Sequence, residues 1–575
     1  MYENKRSKNY ANVSIGFLLL LTVLIALLAW ITYGTFDGII GALAFTIVGM
    51  LNVFPWFIPF VGIPLGILDT LGIFGFGMYD VTLNLAHLSS SWMTVAWFWL
   101  IGILGTIIDI LLMYFVISGL KKLKYRKKEP QSNYALVNCS IIDGTINSPL
   151  IKKGVVLIKN IVGEGEVPGL ISGVGTEGKL NIPDDYKIID LKGEYLLPGL
   201  INAHCHLFGS GKPMKIMNLS DKTLEKLAKL MGTVLGKKIL SNMMKSNASN
   251  ALNAGVTTMR TMGDPFYLDL KLRNEINNGK FLGPRLVCAG KGICITGGHG
   301  GLLAFLADSP TEVKKGIRKN LRAGVDFIKI LSTGGVMDSR KVGEAGRPQM
   351  TIEEIETACF EAHRGGILVA THCESTHGIK EALLGGVDSI EHGAEITDNL
   401  VPLFKNNPKT LRGFTTLTST ISAGMGMAVL SKEETKITDV KKKNAILVEK
   451  GMINGLQKAY KEGIKLTVGT DASVPYATQY NIWKELKYYI KYTNMTAQEA
   501  IHYATKSNAN NIGIGDVTGS IEVGKSADIQ IVQGNPLENI NSLGNVSMVF
   551  IKGHQIKNPK VKKVKNLTDF EPIEL

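Results

Sequence analysis

The run Leu197-Pro-Gly-Leu-Ile-Asn-Ala-His204-Cys-His206 sets two imidazoles one residue apart at the end of an apolar segment. Along a β-strand, side chains at i and i+2 project from the same face, so His204 and His206 can converge on one point. Imidazole is the commonest side-chain metal ligand, and two on one rigid strand make half a metal site. Such pairs also arise by chance in loops, so the chemistry depends on partners elsewhere. Candidates are Lys329 in Phe327-Ile-Lys-Ile, His372 in Val369-Ala-Thr-His-Cys-Glu, His392 in Ile390-Glu-His-Gly, and Asp471 ending Val468-Gly-Thr-Asp. Singly, each has an ordinary reading: a capping or core histidine, a helix-capping Asp471, a snorkelling or paired Lys329.

The elements that must position these residues are strands alternating with helices. Strand-like segments fall at 199–206, 256–262, 285–289, 326–331, 367–372, 389–392, 411–417 and 465–471. Long segments of helical periodicity, such as 351–364 and 439–462, lie between them. Eight strands separated by helices predict an α/β fold, a parallel (β/α)8 TIM-like barrel, whose active site lies at the carboxyl ends of the strands. The six candidate ligands fall in or at the ends of the expected strands, and that order is hard to obtain by coincidence.

Before the barrel, residues 134–194 read as short β segments: Tyr134-Ala-Leu-Val, Val155-Val-Leu-Ile and Lys187-Ile-Ile-Asp. Gly173-Val-Gly-Thr-Glu-Gly reads as a hairpin turn, because no helical pattern follows to make it a nucleotide loop. The expected domains are an N-terminal transmembrane module (1–128), a small β-sandwich domain built from 129–198 and 513–575, and the barrel at 199–512.

Composition supports the first boundary. The 575-residue chain carries a net charge of +14, yet residues 11–120 contain no Lys or Arg. Segments 13–33, 38–54, 55–77 and 92–120 are apolar, and crossing a bilayer takes about 20 such residues. The third is broken by Pro and Gly and could be re-entrant. Lys5, Arg6 and Lys8 precede the first segment, while Lys121, Lys122, Lys124, Arg126, Lys127 and Lys128 follow the last. Both clusters should stay cytoplasmic, which requires an even number of crossings: four, or two with an embedded hairpin. A basic run beside an apolar helix suits lipid headgroups, so the charge does not imply a nucleic-acid partner. Six cysteines show no paired spacing, which fits a reducing compartment. The expectation is an integral membrane protein whose catalytic domain faces the cytoplasm.

The ordered set His-x-His, Lys, His, His and Asp resembles the amidohydrolase superfamily of metal-dependent hydrolases over residues 134–556. Its specific pieces are the Leu197–His206 run, Ser389-Ile-Glu-His-Gly, Gly469-Thr-Asp, and the tail Gly519-Ser-Ile-Glu-Val-Gly-Lys-Ser-Ala-Asp, which looks like a strand-turn-strand. With Ile295-Thr-Gly-Gly-His-Gly, the pattern is closest to the imidazolonepropionase-like and prolidase-like branch. The resemblance implies two divalent ions, zinc by preference with Mn, Fe or Ni compatible. His204, His206 and Asp471 would hold the more buried ion, His372 and His392 the other, and a carboxylated Lys329 would bridge them. A bridging hydroxide would then attack the substrate, with Asp471 as general base and afterwards acid.

The resemblance also places His299, in Gly297-Gly-His-Gly-Gly, against the substrate carbonyl. Arg260, Asp264 and Tyr476 are further pocket candidates, whereas His363 and His502 read as helix-packing residues and His377 as a helix-start residue. The implied activity is hydrolysis of an amide, dipeptide-like or N-acyl amino acid C–N bond. A cyclic amide, amidine or ester hydrolase of the same fold, or a non-catalytic membrane-bound ligand sensor, stay open beside it. Membrane lipid is an expected partner, and a homo-oligomer is compatible.

Overall fold

The computed structural model describes residues 132–160, 169–213 and 221–574, save 566 and 569. The expected membrane module lies outside the described residues. Among the described residues, no helix is long and apolar enough to cross a membrane.

Five strands precede the barrel: β1 (Tyr134–Ile141), β2 (Ile151–Lys159), β3 (Leu170–Thr176), β4 (Lys187–Asp190) and β5 (Tyr195–Pro198). There follow β6 (Leu200–Cys205), β7 (Val256–Thr261), β8 (Arg285–Cys288), the short β9 (Ile293–Cys294) and β10 (Phe305–Leu306), then β11 (Ile328–Leu331), β12 (Val369–Cys373), β13 (Ser389–His392), β14 (Thr416–Ser419) and β15 (Leu466–Val468). Strands β16 (Ile529–Val532), β17 (Val546–Ile551) and β18 (His554–Lys557) end the fold.

Strands β6–β7–β8 and β11–β12–β13–β14–β15 run parallel in that order. Two seams join these arcs. The Asp326 N–H donates to the Cys288 carbonyl at 2.8 Å, and the Thr470 and Asp471 N–H groups donate to the His204 carbonyl at 3.0 and 2.9 Å. The eight expected barrel strands are all present.

Seven of the eight lie within or beside their expected segments, and one, the seventh in order, is displaced. Leu411 and Phe414 suggest a strand over 411–417, yet the chain turns there through Gly413 at φ +79° and the strand begins at Thr416. Threonine is β-branched and fits a pleated surface; its hydroxyls pair inside, Thr418 with Thr467 at 2.5 Å and Thr415 with the Val387 carbonyl at 2.7 Å.

Helix ends follow local chemistry. The helix Ile352–His363 starts at a Thr351/Glu354 capping box, and Asp439–Glu462 runs from a Thr438 cap to Gly463 at φ +68°. Strand residues Ile328, Ile330, Ile390, Leu417 and Leu466 share one buried cluster with helical Ile355, Ile379, Leu383, Met452 and Leu456.

The small domain is a single sheet, ordered β18-β17-β16-β5-β1-β2-β3 with β4 beside β1, rather than two stacked sheets. Register shifts in β1 around Cys139 bend it, so its first half pairs with β4 and its last residues with β5. The curved sheet closes on its own core, bringing Tyr134 of β1 against Phe550 of β17 with ring centroids 5.5 Å apart. Gly173–Thr176, expected as a turn, belong to β3, and the turn comes after them. The tail 519–528 forms the expected turn with only a bridge beside it: Ile521 N–H bonds the Asp143 carbonyl, Ser526 makes an isolated antiparallel bridge to Leu170 of β3, and a regular strand resumes at β16.

Candidate metal centre

Strand alternation positions the lysine. Ile328 and Ile330 are buried against the helices, so Lys329 between them faces the opposite way, into the barrel. Its Nζ is buried and has no hydrogen-bond partner, and burial pushes the amine down to about 8.

The histidines converge as a chain of rings. His204 lies 4.7 Å from His392, His392 4.6 Å from His372, and His372 4.2 Å from His299, centroid to centroid, while His206 stands 5.8 Å from His204. His392, the last residue of β13, and Asp471, three residues beyond β15, have φ +68° and +51°. Non-glycine residues adopt this conformation at a cost of about 1–3 kcal/mol, and such strain gathers at functional sites.

Each candidate ligand ring has one nitrogen committed to the protein. His204 Nδ1 is 2.7 Å from Glu391 Oε2, His206 Nδ1 3.3 Å from the Gly263 carbonyl, His392 Nδ1 2.7 Å from Thr420 Oγ1, and His372 Nε2 3.3 Å from the Gly334 carbonyl. Carboxylates and carbonyls only accept, so the contacts of His204, His206 and His372 place a proton on the named nitrogen, whereas the Thr420 hydroxyl can donate to or accept from His392. Burial holds His206, His372 and His392 below the ordinary histidine range, which keeps them uncharged. The Nε2 atoms of His204 and His206 face the same oxygen, Asp471 Oδ1, at 3.4 and 3.2 Å, and the uncharged His206 presents a lone pair there. Lone pairs facing a carboxylate repel unless a cation sits among them.

Among the described residues, two sets have ligand atoms within 4.8 Å of one another: His204, His392 and Asp471, and His372, Glu374 and His392. Glu374 was absent from the expected site. Its Oε1 is 3.8 Å from His372 Nε2, its Oε2 is buried without a partner, and burial pushes the carboxyl up to about 8. The signal was present: His372-x-Glu374 repeats the i, i+2 spacing of His204-x-His206.

Behind the ligands lies a support that the sequence did not announce. Glu391 bonds His204 and also Arg260 Nη1 at 3.3 Å. Burial would raise this carboxyl, but those two partners hold it well below the usual range. Arg260, expected as a pocket residue, is buried, with its guanidinium 4.1 Å over the Phe327 ring. Asp264 is buried too, accepting the Leu207 N–H at 3.4 Å, and burial with Asp269 nearby raises its carboxyl. Tyr476 donates to the Glu434 carbonyl at 3.1 Å and packs on Phe570.

His299, in a turn beyond β9, reaches the cluster through its stacking on His372. Burial would lower it, but a 2.5 Å bond from Nδ1 to Asp338 raises it. Three further histidines are structural: His363 bonds Asp388 at 2.8 Å, His502 the Gly144 carbonyl at 2.8 Å, and His377 pairs with Glu381 one turn on.

Comparison with known proteins adds a family. The amidohydrolase family profile matches residues 195–556. Ochratoxinase of Aspergillus niger is 24% identical over 340 residues, 54% of this chain and 67% of that protein. Imidazolonepropionase of Rhizobium rhizogenes is 22% identical over 413 residues, 69% of this chain and 90% of its own. Among solved structures, a candidate prolidase from Bifidobacterium longum superposes with a TM-score of 0.66 at 34% identity, covering 76% of this chain and 97% of that one. A Xaa-Pro dipeptidase with bound methionine gives 0.62 at 30%, covering 74% and 100%.

Proposed function

Because the chain belongs to the amidohydrolase family, we propose that its barrel is a two-metal hydrolase of amide bonds in dipeptide-like or N-acyl amino acid substrates. As a family member with prolidase-type relatives, it is a hydrolase acting on carbon–nitrogen bonds. The observation that carries the finer reading is the convergence of the Nε2 atoms of His204 and His206 on one buried carboxylate oxygen, Asp471 Oδ1. Unpartnered Lys329 Nζ and Glu374 Oε2 fit the same conclusion, since buried polar atoms without partners are costly.

His204, His206 and Asp471 would hold one divalent ion, and His372 and His392 the other, with Lys329 bridging as its carbamate; nitrogen and carboxylate donors favour zinc. Bound there, the ions would supply Lewis acidity and make water a nucleophile at neutral pH. The protein's own groups do the rest. Asp471 takes the proton of the attacking water and returns it to the leaving nitrogen, which departs poorly unless protonated. His299, its charged form favoured by Asp338, offers an Nε2–H to the substrate carbonyl oxygen.

In this reading the apolar segments within 1–128 anchor the enzyme, with the barrel on the cytoplasmic side. Purified protein should carry about two divalent ions per chain and cleave members of a panel of Xaa-Pro and other dipeptides and N-acyl amino acids. Asp471→Asn should keep the fold and lose turnover. Activity confined to lactones, or full activity in that variant, would overturn the reading.

A further inference from the structure

The helix Val234–Asn253 follows β6 and precedes the parallel β7, so it runs opposite to both, and its first turns point toward the strand ends that carry His204 and His206. It is longer than the barrel requires. Asn247, well along it, already reaches the loop beyond β6, donating to the Leu207 and Gly209 carbonyls at 2.8 Å each. At 1.5 Å per residue, the part before Asn247 runs on for roughly 20 Å; Leu240 and Met244 pack it onto the barrel's main core cluster and Lys237 lies 5.1 Å over the Phe266 ring, so only its outermost turn and the helix before it project.

The tip of this projection is apolar and open. Val234 is 89% exposed, Leu235 67%, Leu230 61% and Ile239 57%, in one short stretch spanning the junction with the preceding helix Asp221–Met231. Four exposed lysines accompany them: Lys222, Lys226, Lys229 and Lys238. Within 222–239 Glu225 is the only acid. Apolar side chains flanked by lysines, on helices, suit a bilayer interface of anionic lipid. A second protein surface suits them less, because lysine is depleted from protein interfaces.

We propose that this projection docks on an anionic membrane surface, inserting Leu230, Val234, Leu235 and Ile239 among the headgroups and holding the active-site mouth at the lipid boundary. The docking is independent of the hydrolytic chemistry. It is also separate from anchoring by the N-terminal segments, which does not require these side chains.

The test places a reporter on the projection itself. The full-length chain with Val234→Cys carries an environment-sensitive dye and is mixed with, or reconstituted into, phosphatidylcholine vesicles containing a brominated lipid, with and without phosphatidylglycerol. A blue shift with bromine quenching that strengthens when phosphatidylglycerol is present is the expected result. Charge reversals at Lys222, Lys226 and Lys229 should weaken this lipid dependence by about fivefold or more per lysine. Leu235→Asp with Ile239→Asp should abolish quenching, while thermal unfolding stays unchanged because both side chains are exposed. Dye that stays quench-free on vesicles that carry the protein would overturn the proposal and leave anchoring intact. A blue shift that follows protein concentration in the absence of lipid would overturn it in favour of a second copy of the chain.

Discussion

At the scale of single residues, the centre depends on hydrogen bonds that fix which imidazole nitrogen is free. Thr420→Val leaves His392 Nδ1 without its partner, and Glu391→Gln weakens the hold on His204; neither residue is itself a proposed ligand. Both variants should fold and bind metal about 10–100-fold more weakly, measured by competition with a chelator. Unchanged affinity would show that the ligands need no such support. The ligand types and their order were legible in the sequence, because strand ends in a barrel point to one place. The supports were less so. In a regular strand Glu391 and His392 would face opposite ways, but φ +68° at His392 turns the chain, so that Glu391 bonds the ring of His204 while His392 packs beside that ring. No periodicity announces such a turn.

At the scale of elements, the helices Ile421–Val429 and Asp439–Glu462 enclose two carboxyl groups with no metal role assigned. Glu485 accepts the Ile421 and Ser422 N–H groups at 2.7 and 2.8 Å, yet burial pushes it up to about 8. Glu449 has no hydrogen-bond partner for either oxygen; burial, and then Glu485, raise it well above the glutamate range. A Cβ at Gly424 would lie 2.2 Å from Glu449 Oε2, so the glycine makes room for this carboxyl. The folded state therefore retains protons that the unfolded chain has released. Stability is fully present below the ordinary glutamate value and falls as pH rises toward the raised ones. Glu449→Gln keeps the shape and removes one titration, so between about pH 5 and 8 its melting temperature should fall less steeply than the wild type's. Parallel slopes would disprove it. The helices themselves were readable from capping signals and periodicity, as at 351–364 and 439–462. The strand at 411–417 was not, because bulky apolar residues in a turn outweighed threonines that make the actual ladder.

At the scale of the whole molecule, the last residues strap the barrel. Lys562 N–H bonds Asn250 Oδ1 at 2.9 Å, Val564 N–H the Tyr480 hydroxyl at 2.7 Å, and the Tyr492 hydroxyl the Ile573 carbonyl at 2.8 Å. Ending the chain after Lys557 should lower the melting temperature by about 2–6 °C, readable by calorimetry with metal saturating; no shift would mean the strap is ornamental. The small domain makes a larger demand. Leu197 of β5 pairs with Gln530 of β16, so its sheet takes strands from both sides of the barrel. On a ribosome adding about 5–20 residues per second, the first strands would wait roughly 20–60 s for their partners. Until then β5 presents an open edge, the kind of surface that recruits wrong strands. The timing of synthesis thus enters the yield of this enzyme, and slowing elongation between β5 and β16 should send more nascent chain to aggregates than slowing it after β18.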